Sequence, residues 1–301
     1  MTSYTDLGQT CAVTSNTYVS DDGGGAISLA GSQADSFTAA SLDGSKWSSG
    51  NWGGGAYSPT LSGSMLSIMT STGGWVRSIP TYTHGVIEAV ATFGNAAYQH
   101  IGFGSDGFNG NRYFLFSTYS GNGHLYARVN NNIAEQSVDL GLLPTGMHHY
   151  RIEWSAFDAS NDQVVFLLDG APVAAMTVTN SDAANFYAYL SNTSSTVPLQ
   201  VDAMTVTPPY LTSGSYTSCS YNAGAGNLWK NIAWDPSLPA GTSLTMQVRT
   251  SADGLTWSGW STATTSAGSS LPVQAQFIQF LLSLNSSSPT FSPLVNSVTF
   301  K

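Results

Sequence analysis

The sequence predicts an all-β protein made of two sandwiches, and three observations carry that prediction. Helical periodicity is nearly invisible over the 301 residues, while short runs alternate apolar and polar side chains. Clusters of Gly, Asn, Asp and Ser separate those runs, as strand ends and turns require. A chain of this length also has room for two cores rather than one.

The elements follow in order. Residues 1–34 are too short for a core and are expected to lend a strand to a neighbouring unit as an N-terminal tether. GVIEAVATF (85–93) alternates, and HYRIEW (149–154) puts Tyr150, Ile152 and Trp154 on one face. QVVFLLDGAPVAAMTV (163–178) is a hairpin, two apolar runs joined through Asp169-Gly170, a dipeptide suited to tight two-residue turns. LTMQVRT (244–250) and FIQFLLSL (277–284) supply later strands. At VTPPY (206–210) paired prolines cannot serve a central strand, which places a boundary there. The expected organisation is therefore a main sandwich over 35–207 and a smaller one over 208–301. The glycine runs DDGGG (21–25) and NWGGGA (51–56) precede neither a helix nor a Lys-Ser/Thr pair, so they read as turns and not phosphate loops.

Hydrophobic residues make up 42% of the chain but charged ones only 8%, against roughly 25% in ordinary soluble proteins. Its polarity comes from Ser, Thr, Asn and Gly, which suits a protein outside the cytoplasm that hydrogen-bonds to hydroxylated partners. The net charge of -9, from 17 acidic against 8 basic groups, disfavours nucleic acid and anionic membranes. No run of 18 apolar residues supports membrane insertion. The first thirty residues lack the basic and apolar regions of a secretory leader. The expected location is extracellular or on a virion surface, reached after leader removal or through assembly, with Met1 favouring assembly. Cys11 and Cys219 are expected as free half-buried thiols, with a single disulfide between them as the alternative.

DSF…LDGSKW (35–47), YTHGVIEAVATF (82–93), HHYRIEWSAFDASNDQVVFLLDGAPV (148–173) and PLQVDAMTV (198–206) together resemble the concanavalin A-like jelly roll of lectins, laminin-G-like modules and laminarinase-type glucanases. The resemblance implies two curved antiparallel sheets with a concave ligand face. Residues 213–261 resemble the immunoglobulin-like or fibronectin-like accessory module of large surface proteins. Within them SADGLTW (251–257) is similar to a sialidase Asp-box but lacks one residue, and is expected to be a structural turn.

Resembling glucanases carry E-x-D-x-x-E on one concave strand, because retaining hydrolysis needs two carboxyl groups about 5 Å apart. The matching strand here, RYFLFST (112–118), has no acid. Asp106 and Asp139 lie without a second acid nearby, and Glu88 and Glu153 read as the polar side of strands. The expectation is a non-enzyme. Alginate lyases of similar fold use a Q-I-H strand and a Tyr; here Gln99 and His100 are adjacent, so alternation sends them to opposite faces. Only Arg112 and Arg128 are near to neutralise a uronate, and a polysaccharide lyase stands as a minor alternative.

Carbohydrates are held by aromatic faces and planar hydrogen-bonding groups in a preformed cleft. Trp52 and Trp75 lie beside glycines, where burial is not their default, and His100, Tyr113, His124, Tyr126 and Arg128 lie within 98–128. In HLYARVN (124–130), His124, Tyr126 and Arg128 share one face opposite Leu125, Ala127 and Val129. These seven are the expected ligand residues of a non-catalytic protein that binds cell-surface or extracellular polysaccharide. The alternative is a structural virion decoration, fibre or filament subunit that self-assembles. The glucanase resemblance further implies a structural calcium at Asp202, on the strand QVDAMTV.

Overall fold

The computed structural model describes residues 2–4, 7, 9–19, 25–106, 112–179 and 186–300. Residues 21–24 of the glycine run and residues 107–111 lie outside the described residues. The chain forms two units, residues 33–207 and residues 1–32 with 208–301. Its opening strands are β1 (Thr2–Tyr4), β2 (Val13–Ser15), β3 (Thr17–Val19) and β4 (Ile27–Leu29).

The larger unit takes β5 (Gly31–Asp35), β6 (Trp47–Asn51), β7 (Thr60–Leu61), β8 (Leu66–Ile68), β9 (Gly74–Ser78), β10 (Gly85–Thr92) and β11 (His100–Gly104). It continues with β12 (Arg112–Ser117), β13 (His124–Asn131), β14 (Glu135–Leu142), β15 (His148–Ala156), β16 (Asn161–Leu168), β17 (Ala171–Thr179), β18 (Tyr187–Asn192) and β19 (Leu199–Tyr210). Sheet A has eight strands in the order β17-β16-β15-β10-β19-β8-β7, with β5 also on β19. Sheet B has seven, in the order β14-β13-β12-β11-β18-β9-β6. Alternation gives each sheet one apolar face. Ile87, Ile152, Phe166 and Val206 from sheet A meet Ile101, Phe103, Phe114, Phe116 and Leu190 from sheet B in one buried core. Burying such side chains stabilises by about 1.5–3 kcal/mol each, so the inner faces fix the register and the outer faces are left for other uses.

Two local predictions take definite form. The β16–β17 hairpin turns through Asp169 and Gly170 with φ of 50° and 77°, both left-handed as a two-residue turn of this hand demands. Pro208-Pro209 does not end its strand: β19 runs on to Tyr210. The last pair of β19 with β10 is Thr207 with Val86, so the prolines remove no bond from that ladder.

The smaller unit adds β20 (Ser213–Thr217), β21 (Tyr221–Asn222), β22 (Leu228–Ser237), β23 (Thr242–Ser251), β24 (Ser269–Gln274), β25 (Phe277–Ser286) and β26 (Leu294–Phe300). One sheet runs β24-β22-β26-β4-β3 with β1 on β26, and the other β2-β20-β25-β21 with β23 on β25. Trp229, Trp234 and Phe300 from the first pack with Tyr216, Met246 and Phe280 from the second. The N-terminal segment thus contributes several strands here rather than one.

Cys11 and Cys219 form a disulfide, with Cα atoms 5.3 Å apart, which corrects the expectation of free thiols. The cause is register. Val13 pairs with Thr217 across β2 and β20, so the antiparallel ladder carried two residues further brings the cysteines opposite one another.

Candidate active-site face

In an antiparallel sheet, residues directly opposite one another project to the same side. On sheet B the side away from the core therefore follows from register. One cross-strand row reads Tyr126, Ser117, His100, Ser191, Trp75, Gly50. The next reads Arg128, Leu115, Gly102, Tyr189, Arg77, Ser48, and a third Asn130, Tyr113, Gly104, Tyr187. All seven sequence-predicted ligand residues belong to this face or its rim, whereas Phe114, Phe116 and Val129 turn inward to the core.

The floor is buried rather than open. His100 is 4% exposed, Arg128 6%, and Ser117, Tyr189 and Ser191 are wholly enclosed. Trp52, in the loop after β6, donates its backbone N–H to the Gly73 carbonyl at 3.0 Å and stacks on His100 with ring centroids 6.3 Å apart. Its indole fits because Gly73 lacks a Cβ, which would come within 2.8 Å of the ring. Trp75 lies over Gly50 in the same way and 6.0 Å from the Tyr189 ring.

Tyr98 and Tyr119 complete the rim. Both carry left-handed backbone, φ 58° and 44°, a costly state for a bulky residue. The Tyr98 N–H donates to the Tyr119 carbonyl at 2.9 Å and ties the two loops together. Tyr98 lies 6.2 Å from the His100 ring, and Tyr98, Tyr119 and Trp52 stay 46%, 40% and 39% exposed. Aromatic rings held by strained backbone around a polar floor are the feature that most distinguishes this face from ordinary sheet surface.

Burial, then the nearby Arg128 charge, pushes the His100 imidazole down to about 3, so it is neutral over the ordinary pH range. Arg128 donates from Nε to Glu135 at 2.7 Å and from Nη2 to the Tyr113 hydroxyl at 3.0 Å. Its guanidinium lies 4.1 Å from the centre of the Tyr119 ring and 5.3 Å from that of Tyr113. Burial outweighs the opposing Arg128 charge and raises the Tyr113 phenol above its usual range. Ser191 Oγ is buried and makes no hydrogen bond among the described residues, and Ser191 stands directly across from His100 in the ladder.

Two predicted residues sit at the margin. Tyr126 accepts from Asn122 Nδ2 at 2.8 Å, and His124 bonds through Nδ1 to both Asp139 oxygens at 2.9 Å. Gln99 turns away from the face, accepting from the Gly94 N–H at 2.7 Å and donating to the Val197 carbonyl at 3.0 Å. Arg112 alternates with Tyr113 and leaves the face too. Sequence reasoning missed Arg77, which stands two residues after Trp75 and could have been found by the same alternation; it pairs with Asp106 and stacks 4.1 Å over Tyr187. It also missed Tyr98, Ser191 and Tyr189, which become neighbours of His100 only through long-range pairing.

Asp202 is the extra residue of a β-bulge, since Val90 pairs with Ala203 and Ala91 with Val201. Among the described residues no three His, Cys, Asp or Glu side chains gather to hold a metal. A calcium at Asp202 would take the rest of its six-to-eight-oxygen shell from backbone carbonyls. Among the described residues, no helix is long and apolar enough to cross a membrane.

No protein-family model and no curated relative matches this sequence. Solved structures of similar fold include a laminarinase from Flavobacterium sp. UMI-01, 16% identical, spanning 59% of this chain and 98% of that one at a TM-score of 0.44. A lichenase from a mouse hindgut metagenome is 14% identical over 57% and 96% of the chains, TM-score 0.41. The carbohydrate recognition domain of Emp47p is 10% identical over 62% and 96%, TM-score 0.43. At these identities and scores they are likenesses of fold and assign no class to this chain, whose own architecture is all-β, with two antiparallel sheets about a core in each unit. One expectation is corrected here. Several of the matched structures are named as glucanases or laminarinases, and against them the reading of an acid-free β12 as a non-enzyme with a binding or virion-building role does not stand.

Proposed function

We propose that the chain is a polysaccharide-processing enzyme that takes its substrate across the outer face of sheet B and moves a proton at His100. The observation that carries this reading is a neutral imidazole enclosed by Trp52 and Tyr98, with the Arg128 cation close enough to depress it.

The rim supplies binding. Sugar C–H faces stack on the exposed rings of Trp52 and Tyr119. The floor supplies chemistry. The uncharged imidazole takes a proton from a water molecule as that water's oxygen bonds to the anomeric carbon and the glycosidic C–O bond breaks, while Arg128 stabilises the charge on the leaving oxygen until it takes up a proton from solvent at the rim. A carboxylate-pair mechanism has less support. Glu135 and Asp139 stand four residues apart on one edge strand, roughly 13 Å at 3.3 Å per residue, and each is already engaged, by Arg128 and His124.

The smaller unit is read as an immunoglobulin-like accessory sandwich, supported by its two antiparallel sheets about a single core. Action outside the cytoplasm is supported by the Cys11–Cys219 disulfide.

The test is release of reducing ends from a panel of soluble neutral and acidic polysaccharides. At least one polymer is expected to be cut, with His100→Gln lowering the rate about 100-fold or more. No cleavage of any polymer, or full activity in His100→Gln, would sink the reading.

A further inference from the structure

Arg77 and Arg128 stand in the same cross-strand row of sheet B, through Tyr189, Gly102 and Leu115. Four strand spacings separate them, roughly 19 Å at about 4.8 Å each. Each guanidinium is built the same way. Arg77 stacks over Tyr187 and Trp75 at 4.1 and 5.1 Å, and Arg128 over Tyr119 and Tyr113 at 4.1 and 5.3 Å. Each is paired with one carboxylate that is more exposed than itself. The Arg77 side chain is 19% exposed and Asp106 63%; Arg128 is 8% exposed and Glu135 33%.

In a chain with only 8 basic residues and a net charge of -9, two such cations on one sheet face need a use. We infer that the polysaccharide taken by this face is an anionic one, carrying ring carboxylates that both arginines grip together. The inference takes its polysaccharide from the enzyme reading above and adds the charge class.

Stacking fixes each guanidinium plane, so the arginines keep their place while the outer carboxylates swing away into water. Asp106 and Glu135 then act as place-holders, occupying in the free protein the positions that substrate carboxylates take. Arg77 has room for a second partner, since among the described residues it bonds only to Ser48 Oγ at 3.4 Å and to Asp106. Small anions reach one arginine at a time; a span of this length selects a polymer. A neutral glucan has nothing to exchange for either carboxylate and would cover two intact ion pairs at a desolvation cost.

The experiment is affinity electrophoresis of the full chain in gels containing polygalacturonate or a neutral β-1,3-glucan, alongside the reducing-end assay on both. Polygalacturonate is expected to retard the protein, less so as salt is added. Arg77→Gln is expected to weaken binding about tenfold, and Asp106→Asn to tighten it about threefold by removing the place-holder. A gain of binding cannot come from misfolding, so that second variant keeps the test decisive. Glucan retarding the protein while polygalacturonate does not, or Asp106→Asn binding no tighter than the parent, would overturn the inference. Should glucan be the polymer that is cut, the enzyme reading survives without it. Polygalacturonate bound with the predicted variant effects but no polymer cut leaves the inference standing and removes the enzyme reading.

Discussion

Trp52 lies over the His100 imidazole with ring planes inclined by 30°, and this lid, with Tyr98, keeps a basic side chain away from water. Burial is the larger cause of the depressed His100 value and the Arg128 charge the smaller. Removing the lid must therefore return the histidine part of the way to its ordinary value near 6.5. Trp52→Ala is expected to raise the His100 pKa by at least about one unit, read from its imidazole NMR signals across a pH titration. A signal that still fails to titrate above pH 4 would show that the indole is not what excludes solvent.

The same histidine gives stability a pH dependence of known sign. Its folded value, about 3, lies below its unfolded one, so between them the unfolded chain binds more protons and stability falls as the solution is acidified. At pH 5 the loss from this group is about 2 kcal/mol relative to pH 7. Urea denaturation of parent and His100→Gln at both pH values isolates it. The parent is expected to lose that much more than the variant; equal losses would mean that His100 is not held neutral.

Much of this face was legible because a strand has period two. HLYARVN alone puts Tyr126 and Arg128 opposite Ala127 and Val129, and the core of sheet B confirms that division residue by residue. Trp52 was legible only as an aromatic in a glycine-rich loop. Its place over His100 depends on the missing Cβ of Gly73 and on β6, β9, β18 and β11 lying side by side. Such non-local pairing is set by the packing of the whole sheet, and no window of sequence contains it. For that reason Ser191, one serine among many, could not be told from a loop residue, and Arg77 could not be matched with Tyr187. The acid-free strand was read correctly as a strand, yet the step from a missing carboxylate pair to a missing activity assumed that one mechanism exhausts the fold.

On the outer side of sheet A, Arg151 pairs with Glu88 through Nη1 and with Glu153 through Nε at 2.8 Å. The Glu88 side chain is 9% exposed, and Arg151 is a charge partner for it. Arg151→Met is expected to destabilise the larger unit by about 3 kcal/mol, because it strands a buried carboxylate. Adding Glu88→Leu removes the stranded charge and should recover more than half of the loss in the same denaturation experiment. Strictly additive losses would show that the pair is solvated after all.

His148 Nδ1 bonds Asp169 at 2.7 Å, and the Asp169 carboxylate also accepts the His149 N–H at 3.0 Å. The Asp169 hydrogen bond raises the His148 pKa. Burial works against the Asp169 carboxylate, but the His149 N–H and the His148 side chain outweigh it and lower its pKa. A raised histidine stabilises below its unfolded value and loses that contribution as pH rises through its folded one. A lowered aspartate stabilises above its unfolded value and loses it on acidification. The pair thus contributes between about pH 4 and somewhat above 6.5. Asp169→Asn should narrow its stability gap to the parent at pH 8.5, compared with pH 5.5; a gap independent of pH would remove the pair as the cause.

The disulfide joins two parts of the smaller unit that are 208 residues apart in sequence. Closing that connection restricts the unfolded chain, an effect typically worth about 2–4 kcal/mol. The cysteines lie in the unit formed by residues 1–32 and 208–301, while residues 33–207 have their own core. Cys11→Ser with Cys219→Ser should therefore lower one calorimetric transition by several degrees and leave a second, that of the larger unit, near its original temperature. If both transitions fall together, the two cores unfold as one cooperative body and the division into separate units is not a thermodynamic one.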